Sequence, residues 1–439
     1  HPSQSLIPTL PTFTVCNQSV HLSSPRKLEG DLIPTPFLKS LTTSLSATHQ
    51  PRVLLVANTS WYLYNFRLPL IRDLRRHGYQ VALVAPHDAH TELLHAEGLS
   101  VHNWKVSRSS VNPLSEANAL VDLWRIYDRE QPDLVHHFTI KACLYGTIAA
   151  KAARVYRVIN AVTGLGHVFL GTRRRSRLLR GGLRPLYSAV FKARRSTVVF
   201  QNADDQDRLI QLGITDGDRA RLIRGSGVDI DHFRPFADNS GQYQDPLQLL
   251  FPSRLINEKG VRELLLACRT LWDEGFAFKL LVAGAVDAGN RSALTGPELA
   301  ELEADPRVNC LGHVADMRSL YASCDIVVLP SWREGLSRAL IEAAAMERPI
   351  ITTDVPGCRD VVDHGRSGLL VPVRDGRSLA LAIRLFIDNP DLARRCGKQA
   401  RRKVKAEFQV SLVNSSTLEQ YKQVFATPLQ RKSFLAGWF

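Results

Sequence analysis

The sequence predicts an α/β chain of two doubly wound, parallel-sheet domains. Three observations carry that reading. Short, near-continuous apolar runs alternate with helix-length stretches from about residue 51 onward, the alternation occurs in two series, and a polar, turn-rich break separates the two. Strands that are apolar on both faces belong to parallel sheets covered by helices on both sides. Two such series imply two Rossmann-like domains facing across a cleft, and a length of 439 residues also favours two domains over one.

Taken in order, residues 1–50 are rich in Ser, Thr, Pro and Leu and lack a basic segment followed by an apolar core. They are expected to be a disordered extension without a signal peptide. The first domain, 51–235, has strands expected at 53–57, 81–85, 134–138, 158–162 and 197–200. The stretch 236–246, Phe-Ala-Asp-Asn-Ser-Gly-Gln-Tyr-Gln-Asp-Pro, reads as the linker. The second domain, 247–410, has strands expected at 247–251, 279–283, 308–311, 326–329 and 350–353, and 411–439 forms a last helix and tail.

Composition narrows the function classes. No apolar run approaches the ~20 residues of a spanning helix. Seven scattered cysteines, odd in number and without a Cys-x-x-Cys pair, fit a reducing cytoplasm and argue against a zinc site. The net charge of +14 favours anionic partners. The turn after the first strand, Asn58-Thr59-Ser60-Trp61, lacks the Gly-x-Gly-x-x-Gly of a dinucleotide site, which argues against a dehydrogenase.

Two segments carry chemistry. In Ser331-Trp332-Arg333-Glu334-Gly335-Leu336 a buried strand runs into a tight turn and then a helix that contains Glu342. Backbone amides at Gly335 and Leu336 suit an anion, and a carboxylate beside them suits a ligand with both phosphates and hydroxyls. On these residues alone, Glu334 could equally be a helix-terminal charge and Glu342 a solvated one. Upstream, Arg254 and Lys259 follow a strand end before Gly260 and a helix expected over 261–272. A planar fork and a point charge there suit a diphosphate, or else a solvated loop.

Together these segments resemble the family 4 retaining glycosyltransferases, over about residues 52–406. The resemblance implies the two-domain GT-B frame, with the final helix, around 411–425, crossing back to the first domain. It implies that Arg254 and Lys259 hold the nucleotide diphosphate, that Glu334 contacts the donor sugar and that Glu342 contacts the ribose. Tyr64-Asn65-Phe66-Arg67-Leu68-Pro69, Ser107 to Pro113, Thr163 to Gly166 and Gly284 to Asn290 are similar to a sub-group acting on polyprenyl-diphosphate-linked sugars. First-domain loops then face the acceptor, with Tyr64, Arg67 and Lys141 as binding candidates and His137 as a catalytic candidate near the donor sugar. Tyr64 and Phe66 also read as core packing, and His137 as structural. A UDP-sugar co-substrate is expected, with no metal or other cofactor, because Arg254 and Lys259 take the metal's role. Asp229-Ile230-Asp231 reads as a turn rather than a metal site. A UDP-sugar 2-epimerase on the same frame, or a non-catalytic membrane-surface protein, is the alternative.

Residues 173–195 hold nine basic residues, among them Arg173, Arg174, Arg175 and Arg177, and no acidic one. Interleaved Leu178, Leu179, Leu183, Leu186, Tyr187, Val190 and Phe191 give an amphipathic pattern. Contact with an anionic membrane surface is expected ahead of a solvated helix face, and both ahead of nucleic acid, for which no binding module is present. The expected location is cytoplasmic, peripheral on the inner face of the membrane.

Overall fold

The computed structural model describes residues 50–107, 112–164, 174–193, 195–236, 243–287, 290 and 292–427, with backbone alone over 174–182. The expected extension, apart from Gln50, lies outside these residues, as do 108–111, most of the linker and the tail beyond 427.

The first sheet is built from β1 (Arg52–Val56), β2 (Gln80–Ala85), β3 (Ser100–Asn103), β4 (Leu134–Phe138), β5 (Val158–Val162), β6 (Ser196–Phe200) and β7 (Ala220–Leu222). The second holds β8 (Leu247–Phe251), β9 (Phe278–Ala283), β10 (Val308–Gly312), β11 (Ile326–Leu329), β12 (Ile350–Thr353) and β13 (Leu369–Val371). Their orders are 3-2-1-4-5-6-7 and 10-9-8-11-12-13, and the pairs are parallel. Three strands beyond the ten expected, β3, β7 and β13, sit at sheet edges and are only three or four residues long. Central strands are apolar on both faces because both are covered. Val53 and Leu55 enter one core, Leu54 and Val56 the other, and all four are fully buried. Full burial of each such side chain contributes ~1.5–3 kcal/mol.

In each sheet the strand order reverses once, between β1 and β4 and between β8 and β11. The crevice outside the carboxyl ends of strands at such a point is where open α/β sheets bind ligands. The segments singled out from the sequence follow β1, β4, β8 and β11.

The chain enters the second core earlier than the expected boundary at 235/236. Val228 and Phe233 pack with the second sheet. The reason is a pair of crossings that run side by side. The Val228 amide donates to Phe408 O and the Val410 amide to Val228 O, each at 2.9 Å. The outgoing chain then forms the helix Val410–Ala426. Its Val413, Leu418 and Tyr421 belong to the first domain's core, and Tyr421 lies against Tyr79 with ring centroids 5.9 Å apart.

Candidate active site

Lys259 and Glu334 meet at the carboxyl edge of the second sheet. Gly260 makes this approach geometrically feasible. It adopts φ +75°, and a Cβ there would stand 2.0 Å from the Pro330 carbonyl. A glycine therefore lets the loop after β8 lie directly on the loop after β11. The Trp332 amide donates to Glu258 O at 2.8 Å and fixes the register of the two loops. Lys259 Nζ then reaches Glu334 Oε1 at 2.5 Å, and the Ser331 hydroxyl donates to the same oxygen at 2.8 Å. Arg254 pairs with Asp287, from the loop after the adjacent strand β9, at 2.5 Å. Both cations suited to a diphosphate thus rest on carboxylates.

Glu342 lies one helix turn inside Arg338–Ala345 and is buried. Burial pushes its carboxyl above the usual range, opposed by the Arg338 guanidinium, whose Nε donates to Glu342 Oε1 at 2.7 Å. The helix begins at Arg338, so Gly335 and Leu336 stand in the turn ahead of it rather than at its first amides.

That turn is held by the first domain as well as the second. Asn202 caps the helix Ala203–Gln211 by accepting from the Asp205 amide at 2.7 Å, and its Nδ2 donates across the cleft to Gly335 O at 2.6 Å. Asp205 is buried, with its carboxyl pushed up by burial and countered by an ion pair to Arg333. A Cβ at Gly335 would meet Thr163 O at 2.1 Å. Both neighbours of Glu334 are therefore anchored to the first domain while Glu334 itself pairs with Lys259. Beside this contact, a cavity of about 250 Å³ opens between the domains, walled by Trp61, Tyr62, Phe66 and Arg67 on one side and Leu336 and Arg338 on the other.

Known proteins bear on this geometry. Residues 52–202 match the glycosyl transferase 4-like family, and residues 233–403 match the family glycosyl transferases group 1. The chain belongs to the group 1 glycosyltransferases. The transferase is 26% identical over 369 residues to the N,N'-diacetylbacillosaminyl-diphospho-undecaprenol alpha-1,3-N-acetylgalactosaminyltransferase of Campylobacter jejuni, covering 82% of this chain and 96% of that one. It is 26% identical over 314 residues to the capsular polysaccharide biosynthesis glycosyltransferase CapM of Staphylococcus aureus, covering 68% of this chain and 79% of that one. Among solved structures, Alr3699/HepE of Anabaena in complex with UDP superposes with a TM-score of 0.68 at 19% identity, covering 85% of this chain and 100% of that one.

On the first-domain side of the transferase, the candidate residues are held by partners within that domain. His137 does not face the cleft. It is fully buried, its Nδ1 bonded to Asn160 Oδ1 at 2.7 Å and its Nε2 to Tyr127 Oη at 2.9 Å. Burial lowers its pKa to about 4, so the ring is a neutral structural one. Lys141 pairs with Glu116 at 2.8 Å and donates to Ser107 O at 2.7 Å, which anchors the loop before the helix Pro113–Glu130. Arg67 is buried, donating to Tyr62 Oη at 2.8 Å with its guanidinium 4.3 Å from the Phe138 ring centre. It lines the cavity as a wall. Tyr64 packs beside His90, with centroids 5.7 Å apart. Asp229 accepts from the amides of Asp231 and His232 at 2.9 and 3.0 Å, closing a turn.

The basic segment forms the helix Arg174–Phe191. Arg173 and the side chains of Arg174, Arg175 and Arg177 lie outside the described residues, but Tyr187, Val190 and Phe191 are buried in the first domain. That end of the apolar stripe is core, as the solvated-face reading had it, and does not face a membrane. Among the described residues no helix is long and apolar enough to cross a membrane. Asn202, Asp205 and Arg338 carry cleft contacts, and Asp287 the contact to Arg254, that the sequence did not single out as site residues. The Asn202-x-x-Asp205 spacing signals a helix cap, but nothing local signals the partner across the cleft.

Proposed function

We propose that this transferase moves a hexose or N-acetylhexosamine from a UDP-sugar to a polyprenyl-diphosphate-linked saccharide, with retention of anomeric configuration, in surface glycan or polysaccharide assembly. The Lys259–Glu334 pair where the loops after β8 and β11 meet, with Arg254 following the same strand as Lys259 and Glu342 in the helix after Glu334, carries the reading. The Campylobacter and Staphylococcus relatives support the acceptor class and the setting, and the UDP-bound Anabaena protein of the same fold supports the donor. The donor diphosphate takes the place of Asp287 on Arg254 and shares Lys259 with Glu334. As the anomeric C–O bond breaks, negative charge grows on the diphosphate, and these two cations stabilise it. Glu334 accepts from the sugar hydroxyls and Glu342 from the ribose. The acceptor hydroxyl attacks from the face the diphosphate leaves, and its proton passes to a leaving-phosphate oxygen. In this reading Arg254 and Lys259 take a metal's role on the leaving diphosphate, and none is required.

Purified protein given UDP-glucose, UDP-galactose, UDP-N-acetylglucosamine or UDP-N-acetylgalactosamine is expected to release UDP when a polyprenyl-diphosphate-linked sugar is supplied, equally in EDTA. Acceptor-dependent release from none of the four would sink the reading, and donor isomerisation without acceptor would favour a 2-epimerase. Loss in EDTA with rescue by Mg²⁺ or Mn²⁺ would overturn the metal-free mechanism and return attention to Asp229 and Asp231.

Attachment to the inner, anionic face of the cytoplasmic membrane belongs to the same proposal and is supported by the +14 charge and the arginine cluster. Changing Arg173, Arg174, Arg175 and Arg177 to Gln should lower partitioning onto anionic vesicles roughly a thousandfold, at about 1 kcal/mol per residue. Unchanged co-sedimentation at low salt would make the cluster a solvated face.

A further inference from the structure

Arg338 joins the two sides of the cleft through three contacts made by one guanidinium. Its Nε donates to the buried carboxylate of Glu342 at 2.7 Å. Its Nη1 donates to the backbone carbonyl of Asn65 in the first domain. Its face lies on the Phe66 ring, 4.8 Å from the centre. Asn65 and Phe66 belong to a π-helical turn, Leu63–Arg67, set between two stretches of α-helix. Such turns interrupt regular backbone pairing and recur at functional sites.

We propose that Arg338 is a positioning residue that couples nucleotide binding in the second domain to the shape of the aromatic wall in the first. The inference rests on the assignment of Glu342 to the donor nucleoside. A buried carboxylate stripped of its cation is costly, so Glu342 keeps Arg338 when a ligand hydroxyl arrives and the pair moves together. The guanidinium is a rigid fork, and a shift at Nε is a shift at Nη1 and at the face on Phe66. Two contacts pass that shift on to Trp61. Asn65 Nδ2 donates to Trp61 O at 2.9 Å, and the Phe66 and Trp61 rings meet edge to face with centroids 5.1 Å apart. Trp61 is 40% exposed and lines the cavity between the domains. Occupancy of the donor site is thus transmitted to the surface an acceptor meets. By linkage, acceptor occupancy tightens or loosens the donor by the same factor.

The test labels the full chain with 5-fluorotryptophan and follows its fluorine resonances as UDP is added. The sequence holds six tryptophans, and Trp61→Phe and Trp332→Phe identify the two that matter. Trp332 adjoins Arg333 in the donor loop and reports binding directly. In the parent, UDP is expected to move both resonances. In Arg338→Lys, which keeps a cation for Glu342 but not the fork, Trp332 should still move and the Trp61 shift should be lost. Phe66→Leu, which leaves the Arg338–Glu342 pair intact, should lose most of the Trp61 shift and carries the test if the lysine variant does not fold. A purely structural arginine would lower the melting temperature without separating the two resonances. An immobile Trp61 in a parent whose Trp332 responds, or an undiminished Trp61 shift in Arg338→Lys, overturns the inference alone. If neither parent resonance moves, UDP does not bind, and the donor assignment fails together with the inference.

Discussion

At the switch point between β8 and β11, charge meets charge: Lys259 with Glu334, and nearby Arg254 with Asp287 and Arg338 with Glu342. At the switch point between β1 and β4, the surface that meets the cavity is aromatic, made by Trp61, Tyr62 and Phe66, and the arginine beside them is packed into the wall. The paired charges of the second domain suit the charged ligand proposed above. The first domain is built to present a face, and a face suits a partner with broad, weakly polar surfaces such as sugar rings. The loop around Glu334 belongs to both, since Arg333 and Gly335 are held by Asp205 and Asn202 while Glu334 is held by Lys259.

The contrast can be broken at three places. The largest effect is expected on the charged side. Lys259→Ala should cut turnover roughly a hundredfold or more, about 3 kcal/mol of lost leaving-group stabilisation. Near-normal transfer by the folded variant would remove the diphosphate from this lysine. At the shared loop, Gly335→Ala puts a methyl against Thr163 O and should force the domains apart. A cost of about 1–3 kcal/mol is typical of overpacking, so transfer should fall roughly ten- to a hundredfold. UDP affinity, measured by calorimetry, should stay within a few-fold, because the cations are untouched, and an equal loss of both would place Gly335 in the donor site itself. On the first-domain side, His137→Gln should change stability and leave turnover near that of the parent. The folded pKa of about 4 lies below the ordinary 6.5, so the unfolded chain binds the extra proton between those values. Stability is therefore full above about pH 6.5 and is lost as pH falls toward 4, by about 3 kcal/mol for this ring. Urea titrations at pH 7 and pH 4.5 should show the parent's loss shrink in the variant, with a remainder from His136, which burial also holds below the usual range. A collapse of turnover at pH 7 in a stable His137→Gln protein would return the ring to catalysis.

The same division governs what could be read from the sequence. Central strands were legible because a sheet covered on both faces needs apolar residues at every position. Edge strands were not, since β3 is Ser-Val-His-Asn and owes its place to pairing with β2. Arg254, Lys259, Glu334 and Glu342 can be singled out by spacing, because they follow the ends of β8 and β11 closely in sequence. His137 turns into the core for a reason of period. Neighbours on a strand point to opposite faces, so His136 packs toward Phe138 and Tyr421 while His137 points to Tyr127 on the other side. Nothing in the sequence tells which face looks into a cleft. The partners of the Glu334 loop, Asp205 and Asn202, stand 128 and 133 residues from the groups they hold, beyond any local pattern.

The helix Val410–Ala426 also dictates an order of assembly. The bond between His136 and Tyr421 spans 285 residues, and the whole second domain lies between its two ends. A chain emerging from the ribosome makes the first sheet early, yet part of the cover on one face arrives only with Val413, Leu418 and Tyr421. The second domain, by contrast, has nearly all of its core in hand once Phe408 has appeared. Contacts so distant in sequence form late, and an incompletely covered sheet exposes apolar surface in the meantime. The domain synthesised first is the one completed last, and during that interval the face around Tyr79 and His136 is where a chaperone, or another unfinished chain, would bind.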